Sequence, residues 1–358
     1  MAFSFPGGQS TVVPTTELSG NLMVNFGRNI KTFPVNKYLR LRTVSKTTGL
    51  YTYFNPLDYA RFSGGVTAGQ SPQYDWAPGT PAPTGFTNTI GFEYRSFMTR
   101  RKAYPCSLDQ LGEQQADWPV LKTNTEAAAQ LAMTDRALEA AAALTNSANY
   151  PATHVSTATL FGGGFFGAGT PTTPYIKIGL FKLALIILKD SGGNVQMHNL
   201  CIVMNPNTAV ALSESQEIHT IMKESRYALP LITGTQEPSG GVQPVNFAYG
   251  LPEYLYGFRV VVEATTYNKY NRGDASEAID FVYPDNTISM VCREQDFEAA
   301  DGANSYSTFH LFVYGPDDMK VESETDTWNR IIKMRVTDNR QIVAVAGVTG
   351  GLINNVLS

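Results

Sequence analysis

One stretch constrains this chain more than any other: Asp117 to Ala148, DWPVLKTNTEAAAQLAMTDRALEAAAALTNSA. It is the long helical pattern in a sequence that otherwise reads as strands and loops. Thr123 and Glu126 match the S/T-x-x-E capping box, in which the hydroxyl takes an orphan N–H and the carboxylate reaches back. Ala127, Leu131, Thr134, Leu138 and Ala141 recur at spacings of four and three, which predicts one face of an α-helix. Asn146 and Asn149, with Pro151 beyond, supply the stop. At 1.5 Å per residue the helix is roughly 30 Å or more long, about the width of a small domain. Its density of alanine predicts a neighbour that approaches closely.

The rest of the chain must be organised around that rod. With 358 residues it can bury a large core, yet only 16% are charged against 43% hydrophobic. An average soluble protein carries about 25% charge, so much of this surface is expected to meet protein rather than water. The net charge of −4 excludes a global basic field of the kind that marks nucleic-acid binders. The three cysteines, Cys106, Cys201 and Cys292, are far apart and form no C-x-x-C pair, which fits a reducing compartment. The N-terminus lacks the pattern of a signal peptide. The most apolar window, Ile176 to Leu188, is too short to span a bilayer. A soluble intracellular product is expected.

Residues 1–36 are polar, with Pro6, Gly7, Gly8, Pro14 and Pro34 and no sustained period, and read as an arm. From Tyr38 the pattern alternates: strands at Leu39 to Arg42, at Tyr51 to Phe54 and at Phe92 to Thr99, the last with Phe92, Tyr94, Ser96 and Met98 on one face. The connection from Ser63 to Gly91 is long, Gly/Pro-rich and unpatterned, which generally means function or disorder. Residues 37–103 therefore form an extended β-arm too thin to own a core, and such a hairpin must lie on another surface. It ends in the basic triplet Arg100-Arg101-Lys102.

After the long helix, the run Phe161-Gly-Gly-Gly-Phe-Phe-Gly reads as a flexible joint. A helix is predicted over Tyr175 to Lys189, with Ile178, Phe181, Leu185 and Leu188 inward. A wholly apolar strand follows at Asn199 to Met204, then a helix from Thr208 to Glu224 and a Gly/Pro-rich loop from Arg226 to Gly250. A buried strand at Gly257 to Glu263 comes next, and then a hairpin, Asp280 to Pro284 with Thr287 to Cys292. This alternation reads as an α/β domain. The last sixty or so residues return to strands at Ser307 to Tyr314, Asn329 to Val336 and Gln341 to Val348.

No catalytic constellation accompanies this organisation. His154, His198, His219 and His310 have no carboxylate or cysteine at ligand spacing, so neither metal nor cofactor is expected. The glycine run lacks the Gly-Lys-Ser/Thr of a phosphate loop, and no G-x-S-x-G elbow appears. Arg272-Gly273-Asp274 reads as a turn. Two charge clusters stand out: Arg100, Arg101 and Lys102, and Asp317, Asp318, Glu322 and Glu324 with Asp326. They are either independent solvated faces or partners that meet between subunits and set register.

The order of parts, over essentially the whole chain, resembles the major capsid proteins of tailed bacteriophages, the Hong Kong 97-like fold. L-C-I-V-M-N-P-N-T from Leu200 and L-Y-G-F-R-V-V-V-E from Leu255 look like that family's axial-domain pattern. W-N-R-I-I-K-M-R-V-T-D from Trp328 and A-V-A-G-V-T-G-G-L-I-N-N-V from Ala344 look like its closing strands. The resemblance implies an α+β chain in four parts: N-terminal arm 1–36; extended β-loop 37–103; peripheral domain 104–174 and 300–358 with spine helix 117–148; and α/β axial domain 175–299. It implies a structural protein rather than an enzyme. The chain would self-assemble into pentamers and hexamers of an icosahedral shell around double-stranded DNA, with scaffolding, portal and decoration proteins as further partners. DNA contact would be weak and unspecific, no membrane would be involved, and assembly would take place in the host cytoplasm. An encapsulin-like compartment holding protein cargo shares the fold and is the alternative; an α/β enzyme is the rival of a different class.

Overall fold

The computed structural model describes residues 3–4, 10–11, 30–54, 78–79, 92–116, 120–224, 247–270, 278–293, 307–315 and 319–357. The loops expected at 63–91 and 226–250 lie almost wholly outside the described residues, as does most of the arm at 1–36.

The principal strands are β1 (Arg40–Val44), β2 (Thr48–Phe54), β3 (Phe92–Met98), β4 (Arg100–Asp109), β5 (Val155–Thr157), β6 (Leu200–Met204), β7 (Tyr254–Leu255), β8 (Phe258–Val262), β9 (Thr266–Asn268), β10 (Ile279–Phe281), β11 (Thr287–Cys292), β12 (Phe309–Tyr314), β13 (Lys320–Asp326), β14 (Ile331–Ala344) and β15 (Gly351–Asn354). The principal helices are α1 (Val120–Thr145), α2 (Tyr175–Asp190), α3 (Pro206–Ser213) and α4 (Gln216–Glu224).

Two sheets flank α1. A six-stranded mixed sheet runs β7-β8-β6-β11-β15-β5. A five-stranded sheet runs β13-β14-β12-β1, with β4 also paired to β14 over ten residues, Arg100 to Asp109 against Arg340 to Ile331. All five residues of β6 are buried, because both faces of its sheet are covered, and that is why it reads as an unbroken apolar run. Leu200, Ile202 and Met204 face α2 and the short helix Ala158–Gly162. Cys201 and Val203 face the C-terminal half of α1, through Met133, Ala137, Ala140, Ala141 and Leu144. The N-terminal half of α1 lays Ala128, Ala129 and Ala132 against Val336 of β14.

The spine helix is present, with its face and its start moved. It begins at Val120, so Thr123 lies within the helix rather than at its cap. Its buried stripe is alanine with Met133, Arg136 and Leu144, while Leu131 is 58% exposed. The bulky residues set the periodic reading, but the sheets come close only along the small ones. Its last carbonyls are satisfied as a helix end requires: Leu144 O accepts from Tyr150 Oη at 2.8 Å and Ser289 Oγ at 3.2 Å, and Ala143 O from Asn149 Nδ2 at 2.7 Å. Ala132→Leu should therefore overpack the helix–sheet contact and cost about 1–3 kcal/mol. Leu131→Asp, on the solvent side, should cost less than about 1 kcal/mol. Urea denaturation of the two variants checks this, and similar losses would contradict the assigned face.

α2 shows the same phase error. Ile176, Leu180, Leu183, Ala184 and Ile187 are buried, while Ile178 and Leu185 are exposed. This helix is apolar nearly all round, so periodicity could not choose its inner side. Its N-terminus is held by the buried Glu217 of α4, whose carboxylate accepts from the backbone N–H groups of Ile176 and Lys177, both at 3.0 Å. The single helix expected over 208–224 is broken into α3 and α4 at Glu214 and Ser215.

Three further expectations are corrected. The hairpin of Asp280 to Pro284 with Thr287 to Cys292 is absent: β10 pairs with β9, and β11 sits between β6 and β15. The two strands expected at 329–336 and 341–348 are one strand, β14; the polar Thr337-Asp-Asn-Arg is not a turn because Asp338 and Arg340 are buried beneath α1. The glycine run is packed rather than loose. Phe161 and Phe166 are buried, and a Cβ on Gly162 would meet the carbonyl oxygen of Tyr175 at 2.7 Å. That glycine is required by the close approach of α2.

Sheet membership also crosses the expected divisions. β1, from the arm, pairs in parallel with β12. β5 and β15, from either side of the expected peripheral part, complete the six-stranded sheet.

Candidate assembly interface

The hairpin β2–β3 has two unlike faces, as period-two geometry demands. Register pairs Gly49 with Phe97 and Tyr51 with Arg95 on one face, and Thr48 with Met98, Leu50 with Ser96 and Thr52 with Tyr94 on the other. The first face lies on the chain's own sheet. Phe97 stacks on Phe312 of β12 with ring centroids 4.8 Å apart and planes at 9°, and Tyr51 approaches the same ring at 5.9 Å. Gly49 leaves room for the Phe97 ring, which a Cβ would meet at 2.7 Å. Met98 N donates to Gln341 Oε1 of β14 at 2.7 Å, and Thr99 N to Thr47 O at 2.8 Å. The second face is the exposed one: Leu50, Tyr94 and Met98 are 67%, 65% and 51% exposed. An apolar row of this kind on a two-stranded ribbon marks an interaction surface.

The basic triplet does not end the arm. It opens β4 and is held against β14 and α1. Lys102 Nζ donates to Asp135 at 2.6 Å and also reaches Glu139. Arg340 contacts Asp135 at 2.8 Å, Glu139 at 3.0 Å and Asp338. Asp338 is shared with Arg136 Nη2, 2.9 Å away. Tyr104 Oη donates to Asp135 at 2.5 Å. Three cations thus face three carboxylates, so the cluster balances as a buried charge cluster must. Burial alone would lower the Lys102 ammonium, but its bonds to Asp135 and Glu139 hold it above the usual lysine range. Burial would raise Asp135, but Lys102, Tyr104 and Arg340 together hold it below the usual carboxylate range. The stabilisation from Asp135 is therefore complete above the ordinary aspartate range and lost as pH falls through its depressed value.

Of the singled-out charges, Arg101 meets Glu322 within the same chain at 3.5 Å, and Glu322 also accepts from Arg335 at 2.5 Å. Arg100 and Glu324 are exposed, with no ion pair among the described residues. Asp317 and Asp318 lie outside the described residues. Sequence reasoning missed Asp135, Arg136, Glu139, Asp338 and Arg340. The available signal was the pair Asp135 and Glu139 at i, i+4 on a helix otherwise rich in alanine. It also missed Trp328, 92% exposed at the tip of the β13–β14 hairpin. That tip is fixed by Asn329, which donates through its backbone and side chain to Asp326 and, with Lys333, pulls that carboxyl down to about 2.

Comparison with solved structures decides what this architecture is. A phage-related protein from Bordetella bronchiseptica RB50 matches over 92% of this chain and 94% of its own, with TM-score 0.59 and 12% identity. The mature capsid of bacteriophage PhiM1 matches over 98% and 94%, with TM-score 0.52 and 11% identity. The capsid of cyanophage P-SCSP1u matches over 99% and 98%, with TM-score 0.52 and 12% identity. The chain has the Hong Kong 97-like fold of tailed-phage capsid proteins. At identities this low the likeness is one of fold. No protein-family model matches the sequence, and no curated protein matches it. No described helix is long and apolar enough to cross a membrane.

Proposed function

We propose that this chain is the major shell subunit of a tailed phage, assembling through pentamers and hexamers into an icosahedral capsid that encloses double-stranded DNA. Its role is structural. One observation carries the reading beyond the fold: the hairpin β2–β3 is anchored by one face and presents Leu50, Tyr94 and Met98 more than half exposed on the other. In a shell, that face lies on a neighbouring subunit and buries its aromatic and aliphatic row there. Among the described residues of the two clusters, Arg100 and Glu324 remain available to set register with a neighbour, whereas Arg101, Lys102 and Glu322 are engaged within the chain. Trp328 offers a second anchor, since a large exposed aromatic on a rigid turn is the usual form of an interface hot spot.

On this reading the parts keep their expected roles, with two amendments. β1 belongs with the peripheral sheet, and β5 and β15 belong with the axial one. Contact with DNA is weak and unspecific, in keeping with the net charge of −4. Scaffolding, portal and decoration proteins act on the assembled lattice, and assembly takes place in the host cytoplasm.

Electron microscopy of the purified chain tests the proposal, with and without the products of neighbouring genes. Closed polyhedral shells are expected, and in infected cells they should contain double-stranded DNA. Shells filled with a protein cargo and free of DNA would assign the chain to an encapsulin-like compartment. A chain that stays monomeric under every condition would overturn the shell reading itself.

A further inference from the structure

The anchored face of the arm rests on an unusual support. His310 of β12 is only 2% exposed, and neither ring nitrogen has a hydrogen-bond partner among the described residues. Its ring lies nearly parallel to that of Phe312, 23° between planes and 6.1 Å between centroids, and Phe312 is the ring on which Phe97 and Tyr51 of the arm are seated. The strand beside it, β1, is in parallel register with Arg40 opposite His310 and Arg42 opposite Phe312. The other neighbour, β14, sets Val343 opposite His310 and Gln341 opposite Phe312, both uncharged. From the described strands β2 and β3 of the arm, the charged groups are Arg95 and Glu93, which pair with each other at 3.2 Å. No carboxylate on these elements takes a hydrogen bond or ion pair from His310.

We propose that His310 is an acid-sensitive latch: neutral, it completes the aromatic stack that seats the arm, and protonated, it releases the arm from the five-stranded sheet. The neutral ring is apolar enough to fill its place beneath Phe312. The imidazolium would be a third cation beside Arg40 and Arg42, buried and out of reach of any carboxylate among the described residues. The offsetting attraction to the Phe312 ring is weak, because 6.1 Å is at the outer limit of a cation–π contact. Burial, reinforced by Arg42 and Arg40, pushes the histidine down to about 4 from its ordinary 6.5. The sign follows from linkage. The released form binds the extra proton near the ordinary value, so the seated form is fully favoured above about pH 6.5 and loses ground as pH falls towards about 4. This inference concerns the single chain and does not depend on shell assembly.

Hydrogen exchange on the full-length chain, corrected for intrinsic rates, tests it between pH 7 and pH 5. Opening of the β2 and β3 amides should rise roughly 20-fold across that window, while β6 and β11 of the six-stranded sheet keep their protection. His310→Phe should flatten the response of β2 and β3. Should that variant fail to fold, His310→Gln, which cannot take the charge, carries the same expectation. In Arg42→Gln the release should shift to lower pH, because one repelling cation is gone. The latch is overturned by an arm whose exchange ignores pH, by an equal acid response in the variants without His310, or by acid loosening spread evenly over both sheets.

Discussion

Replacing Leu50, Tyr94 and Met98 together with aspartate should abolish shell assembly while leaving the chain folded. All three side chains are more than half exposed on the free hairpin face, so the isolated chain loses little by their removal. Exposed substitutions of this kind usually fall within about 0.5 kcal/mol each. The neighbour's surface is where the loss falls. There each aspartate would be a desolvated charge in place of an apolar contact, a change worth several kcal/mol per interface, repeated at every contact of the lattice. Sedimentation and electron microscopy read the assembly, and thermal denaturation reads the fold. Wild-type yields of shells from the triple variant would remove the arm from the interface. A variant that no longer folds would mean instead that this face is covered by the chain's own residues.

Asp338→Asn should be the most damaging single change in the fold, at about 3–5 kcal/mol. Asp338 is fully buried and is the shared partner of Arg136 and Arg340. Neutralising it leaves two guanidinium groups crowded in a site with one fewer anion. Arg136→Met should cost distinctly less, because Asp338 keeps Arg340 and the methionine fills much of the vacated space between α1 and β14. Urea denaturation of both variants checks the ordering. Equal costs would imply that Asp338 does not bridge the two arginines. The consequence is mechanical as well as thermodynamic, since this cluster ties the spine helix to β14 and, through Lys102, to the strand on which the arm is mounted.

What could be read from the sequence follows from where its signals are local. β6 was legible because a strand buried on both faces must be apolar at every position. The helix was legible because its length and its end are written in neighbouring residues. Its inner face was not, because Leu131 outweighs Ala132 on any hydrophobicity scale although Ala132 is the residue that touches β14. Arg136, Asp338 and Arg340 were missed, since each is charged and only the fold reveals that they neutralise one another. The apparent turn at Thr337 to Arg340 failed for the same reason. At the candidate interface, the exposed row Tyr94, Ser96 and Met98 was visible as an alternation. Its support on Phe312 was not, because that contact joins residues more than two hundred positions apart. Arg101 and Glu322 were singled out as independent solvated charges or as partners between subunits; the structure instead pairs them within one chain.

The position of β15 has a consequence for how such a subunit is made. Residues 351–354 lie inside the six-stranded sheet, between β11 and β5, and β5 has no other strand partner among the described residues. A nascent chain on the ribosome can form α1 and β6 early, but it holds β5 unpaired until those residues emerge. Completion of that sheet therefore waits until the roughly two hundred residues from β5 to β15 have been made. A chain interrupted before Gly351 lacks the strand that joins β5 to β11, so its own sheet reports the interruption.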